Sequence, residues 1–363
     1  MIEKINLLTA CLEDNNLDAI VLVPGSNFRY FTNGDFHMME RPINLIISKF
    51  NKPIAILPNL EVDSFKKLKI DSEIISWKDK NGYMNAFKEA SLKLGSVKNI
   101  GIEGQRIRFF EVNAIKEVFK NSCLIDAHHI LASFRIKKNK DEINKLRIAI
   151  EISERALKET LTFVSEGKTE KEIKNLLIQN LFKFGSDGIA FDPIVLAAEN
   201  SALPHGKSTN YKLKKGDSLL FDFGGCHNGY NADITRTFFI GEASDYQRNF
   251  YNIVLNANLA AINKCKLNVT LHEVDDTATT ILENSHYKNF IIHKTGHGLG
   301  LDVHEEPYVG RGNNTSLDNG MVVTIEPGLY NPDMLGVRIE DDVLINNDAP
   351  IILTTFSKDL EII

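Results

Sequence analysis

The chain carries a single tryptophan and four cysteines among 363 residues, and none of its apolar runs approaches the roughly 18 residues that a membrane-spanning helix needs. Cys11, Cys123, Cys226 and Cys265 are scattered, with no CxxC pair. Their spacing supports neither a disulfide framework nor a zinc site and predicts reduced thiols. The N-terminal "MIEKINLLTACLEDNN" has charges at Glu3 and Lys4 and no continuous apolar stretch, which argues against a secretory signal and for a cytoplasmic protein with no membrane partner. Positive charge is also scarce: the net charge is −6, so a nucleic-acid partner is not expected. The one basic cluster, "RIKKNK" at Arg135 to Lys140, reads as a solvated linker. What remains is an ordinary globular composition, 43% hydrophobic and 25% charged, in a chain long enough for two domains.

Residues 1–132 alternate short apolar runs ("DAIVLVPG", "INLIISK", "KPIAILP", "SEIISW", "NIGIEG") with the helical patterns "MNAFKEASLKLG" and "FFEVNAIKEVF", which predicts a small α/β domain. A second texture fills 133–363. Ile143, Leu146, Ile150, Ala156, Leu157, Leu161 and Val164 recur at helical spacing from about Asp141, and Thr169 with Glu172 forms a capping box for a helix to about Phe184. Strands follow up to Gly241. The same order then returns: a helix from about Asp245 to Lys266, a capping box of Thr270 and Glu273 opening a helix to about Asn284, and strands from Phe290 onward. Two successive helix, capped helix and strand blocks predict a duplicated α+β architecture around one sheet.

Acids interrupt the apolar strands of this second region. Asp222 stands in "SLLFDFGG", Asp233 heads "DITRTFFIG", Glu326 ends "MVVTIEPG" and Glu340 lies within "GVRIEDDVLI". Alternation along a strand puts Thr235 on the face of Asp233, Thr324 with Glu326 and Arg338 with Glu340. Four carboxylates buried unpaired would cost several kcal/mol each. Arg236 and Arg338 cannot balance all four, whereas two divalent cations can, with His297 in its "GHG" turn as the nitrogen ligand. Local look-alikes fail: "HEEPY" lacks the second histidine of HExxH and contains Pro307, and "GHGLG" lacks the Lys and Ser/Thr of a phosphate-binding loop.

The spaced pair Asp222 and Asp233, then "TGHGLGLDVHEEP", "TIEPGLY" and "VRIEDDVLI", resembles the metallopeptidases of the pita-bread fold, the family of methionine aminopeptidase, aminopeptidase P and prolidase, and is most similar to the Xaa-Pro dipeptidase and aminopeptidase P branch. "NFRYFTN" at Asn27 to Asn33 is similar to a segment of the creatinase-like N-terminal domain of that branch. The resemblance implies that Asp222 holds one metal in a bidentate manner, that Asp233 and Glu340 span both ions, and that His297 and Glu326 complete the site. It implies that His304 steadies the tetrahedral intermediate, that His205 and His293 line the pocket, and that the assembly is a homodimer.

Two cations, with manganese expected ahead of Co, Fe or Zn, would lower the pKa of a bridging water and supply hydroxide, with Glu326 shuttling its proton to the leaving nitrogen. Arg338 is expected to orient Glu340 or nearby acids. The implied substrate is a small peptide with proline at the second position. Tyr308 stands where many dipeptidases of the branch carry an arginine for the substrate carboxylate. Arg311 is the nearest substitute; without such a clamp, longer peptides fit as well as dipeptides. A small non-peptide amide on the same metal centre, or a metal-free binding module, are the alternative readings.

Overall fold

The computed structural model describes residues 2–363, and the chain divides into one unit ending at Arg135 and a second from Ile136 to Ile363. The first unit is built on a mixed six-stranded sheet in the order Glu73–Trp77, Ile54–Pro58, Asn44–Ser48, Ala19–Leu22, Asn99–Ile102, Cys123–Asp126. Its inner strands are buried on both faces, which is why they read as unbroken apolar runs. Ile20, Leu22, Leu45 and Leu57 pack with Leu8, Phe28 and Phe31 on one side, and Val21, Ile46, Ile54 and Ile56 with Phe87 and Ile115 on the other. Helices Ile2–Asp14, Ser26–Thr32 and His128–Ile136 and the short edge strand Cys123–Asp126 add to the elements expected from pattern. The edge strand escaped because its apolar run, Cys123 to Ile125, is only three residues long and, with three of the four strand residues exposed, carries no burial pattern.

The second unit has the duplicated plan. Helices Lys140–Leu161 and Glu170–Lys183 cover strands Ile194–Ala197, Ser218–Phe223 and Ile234–Phe239 through a core of Leu157, Leu177, Leu181, Leu219, Phe221 and Phe238. Helices Asp245–Lys264 and Leu271–Glu283 cover strands of a five-stranded sheet through Phe250, Val254, Ala257, Val274, Val323 and Val343. Each half starts its second helix the same way: Thr169 and Glu172, like Thr270 and Glu273, satisfy each other's exposed backbone N–H groups. The strand pairs of this unit are all antiparallel. Among the described residues, no helix is long and apolar enough to cross a membrane.

Candidate metal centre

Two antiparallel ladders, one from each half, place the acids. In the first, Asp222 pairs with Thr235, and Asp233 stands one residue ahead of the same strand. In the second, Ile325 pairs with Asp341 and Gly328 with Arg338, and continuing that register sets Glu326 opposite Glu340. Both glutamates fall where the chain leaves the five-stranded sheet for the ribbon Gly328–Asn331 and Leu335–Arg338. Like charges directly across a ladder repel. His297 is the middle residue of the strand Gly296–Gly298, and a Cβ on Gly296 would sit 2.0 Å from the Thr324 carbonyl oxygen and one on Gly298 2.5 Å from that of Glu306. Only glycine lets this strand lie so close to its neighbours, which is what brings the histidine into the acid cluster.

The structure therefore brings Asp222, Asp233, His297, Glu326 and Glu340 together. Ligand atoms of Asp222, Asp233 and Glu340 lie within 4.8 Å of one another, as do those of His297, Glu326 and Glu340. Asp222, Asp233, His297 and Glu340 are buried and Glu326 is half-buried. Burial first, then Glu340 and Asp222, pushes the Asp233 carboxyl well above the usual carboxylate range. Burial with Glu326 and Asp222 does the same to Glu340, and burial raises Asp222 although the Arg338 guanidinium opposes it. Burial also pushes Glu326 up, but the adjacent His297 ring reverses this and holds it below its ordinary value. The pattern is one shared deficit of positive charge.

Three observations show that divalent cations fit here. Oδ1 of Asp222 and Oδ1 of Asp233 are buried without a hydrogen-bond partner. The His297 Nδ1 lies 3.1 Å from the Gly298 carbonyl oxygen, to which it must donate. Nε2 then faces the Glu326 carboxylate at 3.2 Å and the Asp233 carboxylate at 3.7 Å. A ring nitrogen aimed at two carboxylates is where a divalent cation would replace a proton, and the oxygen-rich donor set suits hard or borderline divalent ions.

The cluster floors a cleft of about 880 Å³ whose walls include Phe191, Ile194, Leu203, Ile292 and Val303. His205, His293 and His304 line it. The His304 ring stands 4.2 Å from that of His297, and burial together with His297 lowers it to about 4, so it is neutral near pH 7. His293 is pinned at both nitrogens: Nδ1 donates to the Lys294 carbonyl at 2.7 Å, and Nε2 accepts from the Tyr330 hydroxyl at 2.7 Å. That hydroxyl in turn accepts from Arg338 Nη1 at 2.7 Å, and Arg338 Nη2 bonds Asp222. Arg338 thus holds Asp222 rather than Glu340, because its side chain reaches across the ladder instead of along its own strand.

Glu340 is held by Thr235, whose hydroxyl donates to Oε2 at 2.7 Å and accepts from Arg338 Nε at 3.1 Å. Sequence reasoning gave Tyr330 no role, since an aromatic in a β-ribbon carries no signal of the hydroxyl's partners. It also missed Lys138, buried and paired at 2.8 Å with Glu305, the residue after His304. Arg311 lies outside the cleft, tied at the surface to Glu283 and Asp276.

Residues 144–347 match Metallopeptidase family M24, and residues 4–137 match the Creatinase/Prolidase N-terminal domain. An uncharacterized peptidase of Staphylococcus aureus strain MW2 is 33% identical over 98% of this chain and 99% of its own length. The structure of the Xaa-Pro dipeptidase from Bacillus anthracis superposes with a TM-score of 0.91 at 31% identity, covering 100% of this chain and 99% of that one. An X-Pro aminopeptidase from Thermotoga maritima superposes at 0.83 with 32% identity over 96% and 98%.

Proposed function

The chain belongs to metallopeptidase family M24, with a creatinase-type N-terminal domain, and on that premise we propose that it hydrolyses the peptide bond between an N-terminal residue and a following proline. The observation that carries the reading is the charge-deficient ligand cluster at the floor of an apolar-walled cleft. The metals of the family would be held by Asp222, Asp233, His297, Glu326 and Glu340, as a dinuclear centre. When bound, such ions supply Lewis acidity to the scissile carbonyl and lower the pKa of a water.

The chain's own residues do the rest. Glu326, kept ionised beside His297, takes the proton from the attacking water and returns it to the proline nitrogen, a tertiary amide that cannot leave unprotonated. His304, neutral and at the cleft floor, donates to the oxygen that gains charge, and His205 faces the same space. His293, Tyr330 and Arg338 form one hydrogen-bonded line that fixes the orientation of Asp222. The apolar walls accept a proline ring and exclude water. Manganese as the native metal is supported by the oxygen-rich donors. The homodimer rests on the family resemblance, and the cytoplasmic location on the four free, scattered cysteines.

Turnover of Ala-Pro, Ala-Pro-Ala and Ala-Ala by Mn(II)-loaded protein tests the reading. Both proline peptides should be cleaved at least about a hundredfold faster than Ala-Ala, a difference of some 2.7 kcal/mol in transition-state binding. Equal rates on all three would remove the proline specificity, and hydrolysis of small non-peptide amides with no peptide turnover would move the chain to the alternative substrate class.

A further inference from the structure

Glu170 opens the helix Glu170–Lys183 and is wholly buried, yet no cation pairs with it among the described residues. Its carboxylate is met by four donors instead. Oε1 accepts from the Ala197 N–H at 2.7 Å and from Asn200 Nδ2 at 3.0 Å, and Oε2 accepts from the N–H and the hydroxyl of Thr209 at 2.7 and 2.8 Å. One side chain therefore fastens both ends of the segment 197–209. The middle of that segment, Leu203 to Gly206, lines the cleft. Leu203 and His205 are exposed, so packing in a core does not set where this stretch lies. The fastening does. A further tie joins it to the other half, where the Gly336 N–H donates to Ser201 Oγ at 2.8 Å from the ribbon strand that also carries Arg338. Ala198 adopts a left-handed φ of 49°, which a non-glycine residue keeps only where its surroundings enforce it.

We propose that Glu170 is a positioning residue: by closing the 197–209 segment at both ends, it holds His205 toward the space where charge develops on the scissile carbonyl. The inference rests on the proposed reaction and adds to it a side chain that touches neither substrate nor ligand cluster. Hydrogen bonds to a carboxylate are stronger than neutral ones, and a buried carboxylate with four donors leaves little freedom in any of them. Fixing both ends of the segment removes conformations from the stretch between them before a substrate arrives. That matters for rate, because a displacement of about 1 Å at a catalytic group can cost about a hundredfold. A glutamine at this position keeps its size and one acceptor oxygen but turns the other atom into a donor that faces donors. One end of the segment then comes loose while the helix that carries residue 170 keeps its core contacts through Ile173, Leu177 and Leu181.

In Mn(II)-loaded protein, Glu170→Gln should lower kcat on Ala-Pro at least about tenfold, with KM within about threefold of wild type and metal content unchanged. The decisive measurement is a double-variant cycle with His205→Ala. If Glu170 acts through His205, adding Glu170→Gln to His205→Ala costs less than about threefold. The full loss repeated in that background, or a wild-type kcat in Glu170→Gln alone, overturns the proposal. Asn200→Ala removes one tie only and should show the same split at about three- to tenfold, which keeps the test available where Glu170→Gln does not fold. Hydrogen exchange reads the clamp without turnover: amides of 198–208 should exchange at least about tenfold faster in either variant, with those of Ser218–Phe223 unchanged. Unaltered exchange in the segment overturns the clamp even if activity falls. Faster exchange, with no hydrolysis of any Xaa-Pro peptide by the wild type, keeps the clamp and sinks the reaction.

Discussion

Glu340 and Asp341 are neighbours in one strand region, both almost wholly buried, and they live in opposite electrostatic worlds. Asp341 accepts from Arg236 Nη2 at 2.9 Å, Lys358 Nζ at 2.6 Å and Thr354 Oγ1 at 2.7 Å, and although burial alone would raise it, those two cations hold its carboxyl below the ordinary range. Glu340 has one hydrogen bond from Thr235 and three acids nearby, and its carboxyl is driven far up. Side-chain alternation sends the two in opposite directions, one toward internal cations and one toward a cluster with none to spare. Burial of a carboxylate is therefore no sign of a functional site by itself. What separates the two regions is whether the protein provides the opposite charge.

The largest effect that could break this comparison is on the uncompensated side. Asp233→Asn and His297→Ala should each lose bound metal and reduce turnover by at least about a thousandfold, on the order of 4 kcal/mol; wild-type metal content in either variant would show that the cluster is not the ligand set. On the compensated side, Arg236→Met leaves Asp341 buried with one of its two cations. It should cost about 3–5 kcal/mol in denaturant unfolding, with metal stoichiometry unchanged; metal loss there would mean that the two regions are one system.

Glu103, in the first unit, is an intermediate case that sharpens the contrast. It is buried, and burial raises it to about 7 even though the Val23 N–H at 2.8 Å and the Asn27 amide at 3.0 Å favour its ionised form. That value lies above the unfolded one of about 4.3. Its contribution to stability is therefore complete below about pH 4 and lost as pH rises through 7, by about 4 kcal/mol. Melting of the metal-loaded protein should fall between pH 5 and 7.5, and Glu103→Gln should flatten that slope; an unaltered slope would assign the loss to other groups. The smallest effect belongs to Arg311, whose partners are exposed: Arg311→Ala should leave kcat/KM on Ala-Pro within about twofold of wild type. A tenfold rise in KM would show that Arg311 reaches the substrate.

Much of the fold was legible because periodicity and capping are local. The helix-capped helix-strand repeat could be read from Leu146, Ile150 and Leu157 and from the Thr169 and Thr270 boxes, since each signal lies within a turn or two of chain. The five clustered side chains were legible for a different reason: acids in apolar strands violate the local rule, and such violations mark sites. Partners were not legible. Arg236 and Arg338 both looked available to the acid cluster, yet Arg236 serves Asp341 and Arg338 reaches Asp222. Which arginine faces which acid depends on the pairing of strands more than 100 residues apart in sequence.

The amino-acid order by itself determined the two textures of the chain, the repeated α+β plan and the residue types able to hold divalent cations, because propensity, alternation and burial cost act within a few residues. Only the tertiary structure decided which charges would be left unbalanced and that His293 would be pinned through Tyr330 to Arg338. Electrostatic energy depends on distances through space, and those distances are set by register and by where glycine lets strands approach, neither of which is written at any single position.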